Sequence, residues 1–104
     1  MVVVVFRSRV RSDLPAPVLA ELEALAVRAA EIAPTMPGFV SYKDFASPDG
    51  ESVSVVEFET HEQLAAWREH PEHRKVQEFG RDEVFAEYKI QVCDLVRTSR
   101  FGPT

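Results

Sequence analysis

A chain with one cysteine in 104 residues cannot close an internal disulfide. Cys93 stands in an apolar stretch without a basic neighbour, so it reads as a small buried thiol rather than a nucleophile. A reducing cytoplasm is the compartment this predicts. Glycine is scarce as well, at 4 residues, and none sits in a phosphate-cradling loop, a serine nucleophile elbow or a dinucleotide fingerprint. Basic charge is in the minority, 12 lysines and arginines against 17 acidic residues for a net charge of −5. No stripe of positive residues forms, which argues against nucleic acid as a partner. The apolar opening Met1-Val2-Val3-Val4-Val5-Phe6 has no basic leader and is stopped by Arg7 and Arg9. It is too short for export or for spanning a bilayer, so no membrane partner is expected.

What is present is ordinary for a folded domain: 45% hydrophobic and 28% charged residues. The length allows one core, so residues 1–104 read as a single domain with one site per protomer. Residues 2–10 are valine-rich and predict a strand covered on both faces. Ser12-Asp13 offers a helix cap, with Pro15 and Pro17 in the first turn. Val18, Leu22, Leu25, Ala29 and Ile32 then recur at helical spacing until Pro34 and Met36-Pro37-Gly38 stop the helix. Phe39 to Ala46 and Ser52 to Phe58 predict a hairpin across the turn Ser47-Pro48-Asp49-Gly50.

Thr60-His61-Glu62-Gln63 matches a capping box and starts a second helix. Its centre, Trp67-Arg68-Glu69-His70-Pro71-Glu72-His73-Arg74, gathers the only tryptophan and two of the three histidines. Pro71 cannot donate a hydrogen bond to the preceding turn, so the helix must break or kink there, with His70 as hinge or cap. Leu64, Trp67, His73, Val76 and Phe79 share a face, Gly80 sits at the C-cap, and a short turn leads to a last strand, Tyr88 to Val96. Strand, helix, strand, strand, helix, strand is the order of a ferredoxin-like α+β fold: one four-stranded antiparallel sheet with both helices on one face. The valines that point to the other face predict a homodimer packed through it.

Four stretches carry a family resemblance: Pro37-Gly38-Phe39-Val40-Ser41-Tyr42, Val55-Val56-Glu57-Phe58, Leu64-x-x-Trp67-x-x-His70-Pro71-x-His73, and Tyr88-x-Ile90-x-Val92. With these the chain resembles the antibiotic biosynthesis monooxygenase domain family, within the dimeric α+β barrels. The resemblance implies a small cofactor-independent monooxygenase acting on an aromatic, polyketide or quinol-type substrate, with molecular oxygen as the second reactant. The runner-up is a non-catalytic small-ligand-binding or dimerisation module of the same fold. A haem-degrading monooxygenase comes third. Haem-degrading relatives carry a histidine about ten residues after the tryptophan that matches Trp67. That position is Gln77 here, a poor ligand for haem iron.

His70 and His73 are spaced H-x-x-H, but no further Cys or His completes a zinc site, so no metal is expected. A base is the better role. Oxygenation without flavin or metal needs a substrate that reduces oxygen itself, such as a phenol or enol that has lost a proton. Histidine titrates in the right range, with His73 the first choice and His70 the second. Arg7 or Arg97 could stabilise the anion, and Trp67, Tyr42, Phe39 and Phe79 could hold a planar ring. The same aromatics are more often plain core.

Overall fold

A computed structural model describes residues 1–103. Strand β1 (Val2–Val10) leads through a turn to α1 (Ala16–Ile32), and a 3-10 turn (Ala33–Thr35) follows. Strands β2 (Phe39–Ala46) and β3 (Ser52–Phe58) form the hairpin. Helices α2 (His61–Arg68) and α3 (Pro71–Phe79), a π-helical turn (Gly80–Val84) and β4 (Phe85–Asp94) complete the chain. The sheet runs β2-β3-β1-β4 with every pairing antiparallel, the ferredoxin-like order expected of this alternation. Among the described residues no helix is long and apolar enough to cross a membrane.

The pleat sorts β1 cleanly. Val2 and Val4 face the helices and are buried, whereas Val3 and Val5 face the other way and are only half-buried. Val56 and Phe58 on β3 pair with Val4 and Val2, and Leu64, Trp67 and Ala33 close the core over them. Helix α1 contributes the stripe its periodicity requires, with Ala29 and Ile32 buried and Val18, Leu22 and Leu25 half-buried.

Several local expectations change. Ser12 and Asp13 do not cap α1; the helix begins at Ala16, with extended Pro15 as N-cap and no side-chain cap bond. A proline fixes φ near the helical value and has no N–H to satisfy, so the paired prolines set the start themselves. The capping box at α2 forms by half. The Thr60 hydroxyl accepts from Gln63 N–H at 3.1 Å, but the Gln63 side chain turns inward instead of back to Thr60. The Pro71 break is complete and gives two helices, with His70 capping the second: its Nδ1 accepts the Glu72 N–H at 3.2 Å.

Gly80 is needed for room and not for a left-handed turn. Its φ is −58°, but a Cβ there would lie 2.5 Å from the Phe85 ring. The last strand is shifted toward the N-terminus, starting at Phe85 and ending at Asp94, because the π-helical turn delivers Phe85 straight into pairing with Val10. Cys93 is exposed, not buried: it pairs with Val3 on the face of the sheet that carries no helix.

Candidate active site

The break at Pro71 folds α3 back so that His73 lies flat on Trp67, with ring centroids 3.9 Å apart and planes 18° from parallel. Phe58 stacks near Trp67 at 5.5 Å and 30°, so the indole lies against two rings. Tyr42 meets the indole edge-on at 6.2 Å and 89°, and Phe39 meets Phe58 edge-on at 5.8 Å. These aromatics come from β2, β3, α2 and α3, four elements that converge only in the folded chain.

Two polar atoms in this cluster have no partner. The Trp67 Nε1–H and the Gln63 Oε1 are buried without a hydrogen bond. They stand four residues apart on α2, hence on one side of the helix. A buried unpaired polar group costs about 1–3 kcal/mol, so one orphan donor and one orphan acceptor beside an aromatic stack are groups that a ligand would satisfy. Gln63 presses on the entry to β2: a Cβ at Gly38 would lie 2.0 Å from Gln63 Oε1. Gly38 also holds φ at +79°, which a side chain would strain, so glycine is required there twice over. Sequence reasoning took Gln63 only as a capping residue. The signal that would have found it is its i, i−4 spacing from Trp67.

Burial lowers the His73 pKa below its ordinary value of 6.5, and hydrogen bonds to the Arg68 and Trp67 backbone oppose this only in part. His73 is therefore neutral at neutral pH. Its Nδ1 lies 3.2 Å from the Gln77 amide nitrogen, which also donates to the Arg68 carbonyl at 3.3 Å. Gln77, at the position of the haem ligand in haem-degrading relatives, is occupied in holding His73. Tyr42 is half-buried; desolvation first and the Asp44 charge second raise its pKa, so the phenol stays protonated.

The other expected site residues lie elsewhere. Phe79 is half-buried at the end of α3, and no ring contact joins it to Trp67 among the described residues. Arg7 is on the opposite face of the sheet, where its Nε and Nη2 donate to the Glu51 carboxylate at 3.1 and 2.9 Å. Arg97 is exposed beyond the end of β4. His70 spends its Nδ1 on the α3 cap. Among the described residues no group of three or more His, Cys, Asp or Glu is placed to hold a metal ion.

Residues 1–78 match the antibiotic biosynthesis monooxygenase family, which covers the whole of this cluster. The chain belongs to that family. Among proteins it resembles, YqjZ of Bacillus subtilis, an uncharacterized protein, is 28% identical over 76 residues, 73% of this chain and 67% of that one. The structure of Rv0793 from Mycobacterium tuberculosis superposes with a TM-score of 0.77 at 19% identity, covering 95% of this chain and 98% of that one. SnoaB from Streptomyces nogalater, described as a cofactor-independent oxygenase, gives 0.72 at 20% identity over 93% of this chain and 94% of its own. At such identities the structural likeness concerns the fold, and the chemistry must be argued from the cluster around Trp67.

Proposed function

We propose that this member of the antibiotic biosynthesis monooxygenase family oxygenates a planar phenol-, polyketide- or quinol-type compound without a resident cofactor. The observation that carries the reading is the orphan pair, Trp67 Nε1–H and Gln63 Oε1, beside a stack of aromatic rings. A flat oxygenated ring satisfies that pair, its hydroxyl donating to Gln63 and its ring oxygen accepting from Trp67. As the ligand ionises, the indole N–H faces a developing oxyanion, the kind of donor that stabilises charge in a dry site. The ionised ring supplies the electrons for dioxygen: an activated ring CH2 and O2 give a ring carbonyl and water. The description of SnoaB as cofactor-independent supports this reading.

A base must take the ligand proton, and His73, neutral and half-buried against Trp67, is the first residue to test. The active form is proposed to be a homodimer, with a second copy covering the half-buried Val3, Val5, Val53 and Val55 on the helix-free face. Oxygen uptake by metal-stripped protein across a panel of quinols and polyphenols, with autoxidation subtracted, tests the activity. Uptake should exceed background and fall in His73→Ala while the circular dichroism stays unchanged. Thermal stabilisation by the same compounds without uptake would replace the enzyme by a binding module. A Soret shift on haem titration would replace it by haem chemistry.

A further inference from the structure

Helix α3 carries His73, yet none of its residues is buried: Glu72, His73, Val76 and Phe79 are half-buried and the others exposed. A helix of 9 residues does not hold its shape in water by itself, so its orientation depends on what grips it. Most of the grip is local. His70 caps the helix, and the Gln77 amide reaches the Arg68 carbonyl and His73. Among the described residues, one side chain from outside 68–80 hydrogen-bonds α3: Arg28, on α1.

The Arg28 guanidinium meets Glu72 side-on, with Nε donating to Oε2 at 2.5 Å and Nη2 to Oε1 at 3.3 Å. Its Nη1 donates to Glu31 Oε2 at 3.4 Å, one turn further along α1, which steadies the fork. The two helices are not equally anchored. On α1, Ala29 beside Arg28 and Ile32 one turn later are buried, so Arg28 extends from a helix that the core already fixes. The hydrogen bond from Arg28 holds the Glu72 carboxylate below the usual range, which keeps the pair charged where a histidine base works. Exposed as it is, the pair adds little to the stability of the fold. What two parallel bonds add is direction.

That direction matters because Glu72 is the residue before His73. Successive helix residues point about 100° apart, so a first turn held toward α1 by Glu72 has a fixed azimuth for its next side chain. The azimuth observed is the one that lays the His73 ring on Trp67. We propose that Arg28 is a positioning residue for the base: it grips Glu72 and so holds the first turn of α3 in the orientation that sets His73 against Trp67. This inference rests on the reading of His73 as the base, and the test separates the two.

The test joins oxygen uptake, with the best quinol of the panel, to acrylamide quenching of Trp67, the only tryptophan. In Arg28→Gln and in Glu72→Gln, kcat should fall about tenfold, short of the roughly 10²-fold that a 1 Å misplacement can cost. Acrylamide should quench Trp67 at least twice as strongly, approaching His73→Ala, while the urea midpoint stays near that of the native protein. The exchanged pair, Arg28→Glu with Glu72→Arg, should restore both readouts, which a loss of charge or of general stability would not explain. Native kcat and native shielding in Arg28→Gln overturn the assignment and leave the site standing. So does a loss of kcat with Trp67 still shielded, or one that the exchanged pair does not repair. If the native protein consumes no oxygen with the whole panel, the oxygenase reading falls and takes the base role with it. The quenching then still decides whether Arg28 sets His73 on Trp67.

Discussion

The two faces of one sheet were built from similar sequence and ended in different physics. On the helix side, Val2, Val4, Val56 and Phe58 are buried, Phe58 with 0% of its surface exposed, and aromatic rings from four elements close over them. On the other side, Val3, Val5, Val53 and Val55 alternate with Arg7, Arg9 and Glu57, and charge pairs take the place of packing. Arg7 pairs with Glu51, and Arg9 bridges Asp49 and Glu87 at 3.1 and 3.2 Å. Exposed ion pairs of this kind add little stability because water screens them. The helix face thus holds the fold and the candidate chemistry, and the helix-free face holds surface suited to association. A site with orphan polar groups is affordable on the first face only because the packing around it is dense.

The sharpest contrast comes from deletion on each face. Phe58→Ala should destabilise by about 3–5 kcal/mol in urea unfolding, as truncations of buried aromatics do. Val55→Ala, on the other face of the same strand, should cost well under half of that; equal losses would erase the distinction between core face and association face. Val55→Asp addresses the second copy. Sedimentation equilibrium should show a dimer for the native protein, as proposed, and a monomer for this variant, while Trp67 emission stays as in the native protein.

Within the site, His73→Ala should lower turnover by about 10²–10⁴-fold, the worth of a positioned general base. His73→Phe keeps the ring stacked on Trp67 but not the base and should be as poor as Ala; a Phe variant close to the native protein would take the base role from His73. Gln63→Met removes a buried acceptor that lacks a partner and nearly keeps its volume. Thermal unfolding should show a gain of about 1 kcal/mol, at the lower end of what an unsatisfied group costs. Binding of a phenolic ligand should weaken, and a variant that binds as well as the native protein would remove Gln63 from the site.

The smallest effects are those of pH, and they separate the faces by range. Burial depresses the His73 pKa, so the folded protein binds its proton less readily than the unfolded chain does. The stability this gives is complete above about 6.5 and is lost as pH falls from there toward the depressed value. His73→Phe should flatten that part of the stability curve. On the helix-free face, hydrogen bonds hold Glu51 and Asp49 below the usual carboxylate range, Arg7 acting first on Glu51 and the Glu51 backbone N–H first on Asp49. Their contribution is present above the ordinary carboxylate pKa and lost only as pH falls through the depressed ones, a lower window that His73→Phe leaves untouched.

The alternation of strand and helix was legible because each element carries its own period: valine runs in β1, the 18-22-25-29-32 stripe in α1, and the turn Ser47-Pro48-Asp49-Gly50 between β2 and β3. The break at Pro71 was equally legible, since a missing N–H is a local fact. Local chemistry also placed His73 near Trp67. It did not place Arg7, because the side of the sheet on which a strand residue falls depends on register, and a shift by one residue reverses it. Cys93 was misjudged for the same reason: its apolar neighbours say that β4 is a strand but not which of its faces a helix covers.

The sequence by itself determined the order of elements, the hinge in the second helical segment and the family, because propensity, periodicity and proline chemistry act over a few residues. Tertiary structure decided which polar groups were left without partners. Gln63 turned from its cap toward Gly38, the Trp67 N–H was buried unmatched, and Asp44 was brought opposite Ser54, whose hydroxyl hydrogen bond it accepts. Whether a donor finds an acceptor depends on groups distant in the chain, and only the packed fold sets those distances.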